Sequence, residues 1–169
     1  CSATSAATTV IVNALPTATI TAGGATTFCA GESVVLTSSS TTGNQWYKDG
    51  AAISSATAAT YTATTSGSYT VIVTSDEGCS STASAATTVT ANPLPAAPVV
   101  SNMAYCIGST TTALSATALS GNTLRWYGTN ATGGTASSTP PTPSASAIGT
   151  TDYYVSQINS LGCESIRGV

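Results

Sequence analysis

The sequence predicts an all-β protein built from tandem β-sandwich modules. Three observations carry this prediction. The segment from Cys1 to Pro16 matches the segment from Cys79 to Pro95 with one inserted residue, and a repeat of this size is typical of a structural module. Short runs rich in threonine, valine and tyrosine alternate with turn residues, as strands do. No window of eleven or more residues carries a helical period with caps.

The repeat runs through the whole chain with a period near 80 residues. A cysteine, a Trp-Tyr pair, a tyrosine and a second cysteine recur in the same order. They are Cys29, Trp46-Tyr47, Tyr69 and Cys79 in the first copy and Cys106, Trp126-Tyr127, Tyr153 and Cys163 in the second. The second copy holds its insertions between the tryptophan and the tyrosine, at Gly133-Gly134 and at 140–143. Because loops absorb insertions and strands do not, this stretch is predicted to be a loop.

The repeat also sets the expected domain organisation. Cys79 has a cysteine 50 residues upstream, whereas Cys1 has none, so we expect the chain to begin at the tail of a module and to be a fragment of something longer. The expected parts are the final strand of a preceding module at 1–16, a complete module at 17–95, and a module at 96–169 whose final strand is incomplete. Prolines at the two junctions stiffen the linkers, because proline favours extended geometry.

The first three strands of the complete module are predicted from apolar and threonine-rich runs. Thr17–Thr21 alternates threonine with alanine and isoleucine and stops before Gly23-Gly24. Ser33–Ser38 contains a Val-Val-Leu run. Asn44–Lys48 contains the Trp-Tyr pair and ends in a Lys-Asp-Gly turn.

Three more strands complete the module. Ala59–Ala63 is a Thr-Tyr-Thr run, and Gly67–Ser75 alternates as Tyr-Thr-Val-Ile-Val. The Asp-Glu-Gly turn before Cys79 has the chemistry of a hairpin. Beyond it, Ala85–Ala91 contains the Thr-Thr-Val-Thr sequence of the last strand.

About seven short strands with a tryptophan on the third indicate an immunoglobulin-like sandwich. The predicted core residues are Trp46, Trp126, Tyr69 and Tyr153. Either tryptophan could instead stack on a sugar ring, but the matched positions in both copies favour the core. Better candidates for exposed contact are Tyr47, Tyr61, Tyr127 and Tyr154, because alternation points the first of them away from the tryptophan beside it. The alternative for these tyrosines is an ordinary solvated sheet face.

The cysteines depart from the antibody pattern, because the second one lies ten residues after the tyrosine, in a turn. We expect the pairs Cys29–Cys79 and Cys106–Cys163, with each disulfide joining strand ends at one pole of its module. Closing loops of this length is worth about 4 kcal/mol each in the chain-entropy model. The alternative is five free, buried thiols. The partner of Cys1 is expected upstream, and paired cysteines imply an oxidising, extracytoplasmic compartment.

Composition excludes several classes of function. Charged residues are 5% of the chain and the net charge is −3, so nucleic-acid binding is not expected. No run of 18 apolar residues is present, so we expect no membrane insertion within this segment. There is no histidine, which removes the commonest general base and most metal sites. The chain is therefore predicted not to be an enzyme and to use no cofactor or metal.

Four weaker signals in the sequence also have plainer interpretations. The adjacent carboxylates Asp76 and Glu77 could bind calcium, but the second copy has no acid there, so a solvated turn is favoured. Glu32 and Asp152 lie a whole module apart, which gives a glycosidase pair little support. Asn130 begins a glycosylation sequon, which is informative only in a host with that machinery. The Thr-x-Thr stretches suggest an ice-binding array, which interrupting turns and sheet twist disfavour.

The motifs of both copies resemble the Ig-like repeats of giant Bacteroidetes surface proteins. In the first copy these are Thr-Thr-Phe-Cys29-Ala-Gly-Glu-Ser-Val-Val-Leu-Thr, Gln-Trp46-Tyr47-Lys-Asp-Gly, Thr-Thr-Ser-Gly-Ser-Tyr69-Thr-Val and Gly-Cys79-Ser-Ser-Thr. The second copy is similar to another subtype, with Leu-Arg-Trp126-Tyr127, Thr-Asp-Tyr153-Tyr154-Val-Ser-Gln and Gly-Cys163-Glu-Ser. The resemblance covers essentially the whole chain.

The resemblance implies a cell-surface adhesin of the kind used in gliding motility and attachment, exported by the type IX secretion system. In such proteins many modules form a filament that holds a distal binding region away from the outer membrane. No catalytic residue carries over. The expected partners are neighbouring modules of the same chain and, beyond them, surface polysaccharide or other cell-surface proteins. Two alternatives stay open: a glycan- or protein-binding module, and a spacer in a secreted multidomain hydrolase.

Overall fold

The computed structural model describes Cys1 and residues 4–169, which form β-strands and contain no helix. They divide into two compact units, unit 1 (Cys1–Ala91) and unit 2 (Asn92–Val169). Within the predicted strand at 1–16, residues 2 and 3 lie outside the described residues. The remainder of that segment, from Thr4 on, has no strand and is mostly exposed.

Unit 1 is built from two antiparallel sheets. Its strands are β1 (Ile20–Ala22), β2 (Thr27–Cys29), β3 (Val34–Ser38), β4 (Asn44–Lys48), β5 (Ala51–Ala52), β6 (Thr60–Ala63), β7 (Gly67–Val73) and β8 (Thr87–Asn92). One sheet has the order β1-β3-β6 and the other has the order β2-β8-β7-β4-β5. All six strands predicted for the first complete module are present, each with bounds within three residues of the prediction. The all-β, immunoglobulin-like sandwich is confirmed.

The core of unit 1 follows the period-2 alternation of its strands. In β3, Val34 and Leu36 are buried, whereas Val35 between them is 44% exposed. Trp46 of β4 is fully buried, and its indole Nε1 donates a hydrogen bond to the carbonyl of Ala58 at 2.9 Å. The polar end of this large side chain is therefore satisfied inside the core.

Two short strands of unit 1 were not predicted. β2 pairs beside β8, and β5 pairs with the end of β4, where Tyr47 lies opposite Ala52. The turn before β5 places Asp49 and Gly50 at φ 51° and 81°, the conformation of a tight hairpin. Runs of two or three residues carry no readable periodicity, so the sequence gives little signal for either strand.

Unit 2 has fewer regular strands. They are β9 (Val99–Val100), β10 (Ala116–Thr117), β11 (Thr123–Trp126) and β12 (Val155–Ile158), with β9 paired to β10 and β11 paired to β12. Between Trp126 and Tyr153 no residue belongs to a strand, and an isolated bridge joins Trp126 to Ser137. The loop predicted from the insertions is confirmed.

The disulfide prediction needs a correction. Cys29 and Cys163 are disulfide-bonded, but Cys79 and Cys106, their predicted partners, are free thiols. The predicted pairs Cys29–Cys79 and Cys106–Cys163 are therefore not formed in this structure. A disulfide requires the two Cβ atoms to lie about 4 Å apart, and the repeat places the cysteines at turns without fixing the distances between those turns. Cys1 is also a free, exposed thiol.

Replacing Leu36 with alanine is expected to destabilise unit 1 by about 2–5 kcal/mol, because it removes buried methyl groups and leaves a cavity. The neighbouring change Val35→Ala is the matched control, and it should cost less than about 1 kcal/mol because that side chain faces solvent. Urea unfolding followed by circular dichroism measures both. Equal losses of stability for the two variants would contradict the strand register described for β3.

Candidate functional site

The tryptophans occupy the same register in both units. In unit 1, β4 and β7 pair so that Trp46 lies opposite Val71. In unit 2, β11 and β12 pair so that Trp126 lies opposite Val155. Both tryptophans and both valines are buried, at 3% exposure or less. The predicted core positions of Trp46 and Trp126 are therefore where the structure places them, and neither indole is available to stack on a sugar.

The segment that follows each turn is held to the preceding strand by a serine. In unit 1 the Val73 amide donates to Oγ of Ser81 at 3.0 Å, and the Ser81 amide donates to the Val73 carbonyl at 2.8 Å. In unit 2 the Gln157 amide donates to Oγ of Ser165 at 3.1 Å, and the Ser165 amide donates to the Gln157 carbonyl at 2.8 Å. A serine hydroxyl thus replaces a backbone carbonyl as the acceptor in the ladder.

The turns before these serines also match. Gly78 and Gly162 both lie in the left-handed region, at φ 81° and 84°. Ser75 donates its amide to the carbonyl of Cys79 at 2.9 Å, and Asn159 does the same to Cys163 at 3.0 Å. The Asn159 side-chain oxygen additionally accepts the Cys163 amide at 2.9 Å. The predicted hairpin at the Asp-Glu-Gly turn is confirmed, with Thr74 bridged to Ser80 across it.

Unit 2 carries a polar cluster centred on Glu164. Its carboxylate accepts hydrogen bonds from the hydroxyls of Tyr127 and Ser156, and it forms an ion pair with Arg125 at 3.1 Å. Burial alone raises the pKa of Glu164, but hydrogen bonds from Ser156, Tyr127 and Arg125 outweigh it, so the pKa lies below its ordinary value of 4.5. The hydrogen bonds and the ion pair thus favour the ionised carboxylate.

Arg167 covers the other side of this cluster. Its guanidinium carbon lies 3.4 Å from the centre of the Tyr127 ring, a cation–π contact. The same guanidinium donates to the carbonyls of Asn130 and Gly133, which fixes the long loop against the sheet. Tyr127 is consequently only 7% exposed. The interpretation of Tyr127 as an exposed contact residue was wrong, since Arg167, which follows the last strand, covers its ring.

The other tyrosines differ in how deeply they are buried. Tyr69 is buried at 1% exposure, as predicted for the core, whereas Tyr153 is half-buried. Tyr47 and Tyr154 are also half-buried. Tyr61 packs its ring between Trp46, at 5.9 Å, and Tyr69, at 5.7 Å, so it belongs to the edge of the core.

The remaining candidates do not assemble a reactive site. Asp76 and Glu77 are exposed in their turn, and no group of three or more metal-ligating side chains occurs in the described part of the chain. Glu32 accepts the Cys29 amide at 3.1 Å and caps its own turn. Asn130 is exposed, with its side-chain amide donating to the Tyr127 carbonyl. Over the described residues there is no helix of the length and apolarity needed to cross a membrane.

Unit 2 contains a cleft of about 670 Å³. Its lining includes the buried Trp126 and Val155 together with Tyr105, Thr151, Asp152 and Tyr153. Several apolar side chains at its rim are exposed, among them Ile148 at 92% and Ile107 at 64%. Sequence reasoning did not find this cleft, because it depends on where the 143–153 stretch lies against the sheet.

Comparison with known families finds a match in the second part of the chain. Residues 95–168 match the family model described as "Ig-like domain CHU_C associated". That segment is therefore similar to Ig-like domains of this kind, in agreement with the sandwich and with the resemblance noted from the motifs. Among curated proteins, none matches the chain.

Replacing Glu164 with glutamine should make unit 2 less stable by about 1–2 kcal/mol above pH 5, because it removes the charge that three donors share. The folded-state pKa of Glu164 is lowered, so its stabilisation is present above the ordinary pKa and is lost as the pH falls through the folded-state pKa. The parent chain should therefore lose this stability on acidification, and Glu164→Gln should be nearly insensitive over the same range.

Trp126 fluorescence in a Trp46→Phe background measures the unfolding of unit 2. The control is Asp152→Asn, which removes an exposed carboxylate of the same unit without touching the cluster. An acid-induced loss of stability that persists in full in Glu164→Gln would show that the cluster is not the source.

Proposed function

We propose that the chain is a non-catalytic structural segment, part of the stalk of a large secreted cell-surface adhesin. The observation that carries the proposal is the recurrence of one set of backbone contacts in two units. The Trp–Val register, the glycine turn and the serine acceptor are all repeated, with the residues from the turn onward 84 positions apart. Repetition of a scaffold without a repeated reactive group is typical of spacer modules.

The proposed role of the stalk is mechanical, because its modules supply length. Each unit contains antiparallel ladders, and a seven-residue strand such as β7 spans about 23 Å. Every additional module would therefore extend the chain by a few nanometres. The surface suits this role, because about a third of the residues are serine or threonine and only 5% are charged, which limits nonspecific electrostatic attraction.

The proposed location is the cell surface, with attachment to the outer membrane and export by the type IX secretion system. Two observations support this location. Residues 95–168 match a family of this bacterial repeat type, and two cysteines are disulfide-bonded, which is common outside the cytoplasm. The proposed partners are neighbouring Ig-like modules of the same chain and, at a distal region, polysaccharide or surface proteins.

A second candidate function is binding within unit 2. The cleft brings Tyr105 and Tyr153 together with several backbone and hydroxyl groups, and a groove of this kind suits a glycan or an extended peptide. A third is a spacer role beside the catalytic domain of a secreted hydrolase, which the same scaffold serves equally well.

The test is the size and location of the parent polypeptide. An antibody raised against residues 17–169 should label intact cells, and immunoblots should show a chain many times longer than these 169 residues. An antibody against a cytoplasmic protein of the same cells is the control for lysis. A parent of ordinary enzyme size in the culture medium would overturn the adhesin stalk and favour the hydrolase spacer.

A further inference from the structure

The strand register of unit 1 defines two ends of its sandwich. β4 runs from Asn44 at one end to Lys48 at the other. β3 stops at the same end as Asn44, because the Asn44 side chain donates a hydrogen bond at 3.0 Å to the carbonyl of Ser40, just beyond that strand. We call these the Asn44 end and the Lys48 end of unit 1.

The first strand of unit 1 starts at the Asn44 end. β1 pairs antiparallel with β3, and its first residue, Ile20, lies opposite Ser38, the last residue of β3. β1 then runs away from this end, because it is antiparallel to a strand that runs towards it. The chain that precedes β1 therefore enters the sandwich at the Asn44 end.

The last strand of unit 1 stops at the other end. β8 pairs antiparallel with the first three residues of β7 and ends at Asn92. Those three residues lie at the Lys48 end, because the third of them, Tyr69, is opposite Lys48. An antiparallel partner runs towards the start of β7, so the chain leaves the sandwich at the Lys48 end. β1 and β8 thus run in the same direction, one in each sheet.

Tension along the chain therefore acts parallel to the strands of unit 1. The hydrogen bonds of an antiparallel ladder lie perpendicular to its strands. A load along the strands strains all bonds of a ladder together, whereas a load across the strands breaks them one after another. Because the chain enters at one end and leaves at the other, β1 and β8 are loaded in the first and more resistant way.

A serine hydroxyl extends the ladder of the first strand at the point where the load arrives. Oγ of Ser39 accepts the amide of Thr19 at 3.0 Å and donates to the carbonyl of Thr17 at 3.1 Å. The Ser39 amide also donates to the Thr19 carbonyl at 3.0 Å. The residues that precede β1 are thus fixed to the end of β3 before the first strand begins.

Ser66 holds the last strand in the same way at the Lys48 end. Its Oγ accepts the amide of Ala91 at 2.9 Å and donates to the carbonyl of the same residue at 3.3 Å. On the other side of β8, the Thr90 amide donates to the Thr26 carbonyl at 2.8 Å. Ser39 and Ser66 both lie outside the strands, yet each hydroxyl accepts one hydrogen bond from a terminal segment and donates another to it.

We propose that unit 1 is a load-bearing module in which the hydroxyls of Ser39 and Ser66 clip the terminal strands in place against tension along the chain. This role rests on the proposed stalk function, because a stalk that connects a cell to a distant surface must carry tension. The clips act where the chain enters and leaves the sandwich, so their bonds are strained before the inner rungs of each ladder are exposed.

The test is forced unfolding of the 169-residue protein with optical tweezers in two pulling directions. Handles at the exposed residues Asn13 and Leu94 apply the load along the strands, through β1 and β8. Handles at the exposed residues Ser33 and Ala51, which both lie at the Lys48 end, apply it across the strands. At equal force, unit 1 should unfold at least about tenfold more slowly under the load along the strands, because several hydrogen bonds must break together.

A reducing agent is present in both measurements, so that the disulfide bond of Cys29 carries none of the load. The handles are attached by a chemistry that does not use cysteine. Between Asn13 and Leu94, an extension of roughly 25 nm marks the unfolding of unit 1.

Removal of either clip should act in one pulling direction only. Ser39→Ala and Ser66→Ala should each raise the unfolding rate about fivefold under the load along the strands, because each removes two hydrogen bonds from a loaded segment. Under the load across the strands, each should change the rate by less than about twofold. Ser80→Ala is the matched control and should leave both rates unchanged. Its exposed hydroxyl bonds to Oγ1 of Thr74 at 2.9 Å, in the hairpin after β7 and away from both terminal strands.

Equal unfolding rates in the two directions would overturn the proposal. Clip variants that speed unfolding equally in both directions would also overturn it, because a general loss of stability would then explain them. Unfolding of unit 1 by reduction alone would do the same, since the disulfide rather than the strands would then hold the unit. None of these outcomes depends on the size or location of the parent polypeptide, so failure of the clips and failure of the stalk function are distinguishable.

Discussion

A buried tryptophan facing a valine across two antiparallel strands is the contact on which each unit depends. Trp46 opposite Val71 and Trp126 opposite Val155 fix the register of the central strand pair. A shift of one residue would turn every side chain of a strand to the other face, so the tryptophan determines which residues are buried. In unit 1 the alternating residues of β7, Tyr69, Val71 and Val73, are buried as a result.

Serine hydroxyls accept hydrogen bonds from backbone amides inside these sandwiches. Ser81 and Ser165 accept buried amides of the neighbouring strand, and Ser84 accepts the amide of Val71 at 3.1 Å. These backbone amides are therefore satisfied by hydroxyl groups, in a chain that has few charged residues. Unit 2 adds an exception in the cluster of Glu164, Arg125 and Arg167, which joins the sheet to the long loop.

The strands of unit 1 were readable from the sequence because their signals are local. Alternation, β-branched residues and turn chemistry identified six strands, and the repeat alone predicted the tryptophan positions. What the sequence did not reveal depends on distances between remote elements. The cysteine pairing, the burial of Tyr127 under Arg167 and the cleft of unit 2 all arise from how loops lie on the sheets. Spacing along the chain carries no measure of these distances.

Amide hydrogen exchange at Val73 and Gln157 shows whether the same contacts hold both units. The Val73 amide lies in β7 and the Gln157 amide lies in β12, and each donates to a buried serine hydroxyl. Each amide should therefore be among the slowest to exchange in its own unit. Ser81→Ala should accelerate exchange chiefly at Val73, and Ser165→Ala should do so chiefly at Gln157. Exchange of Gln157 at the rate of an unprotected amide, with Val73 still protected, would show that the two units are not held by one set of contacts.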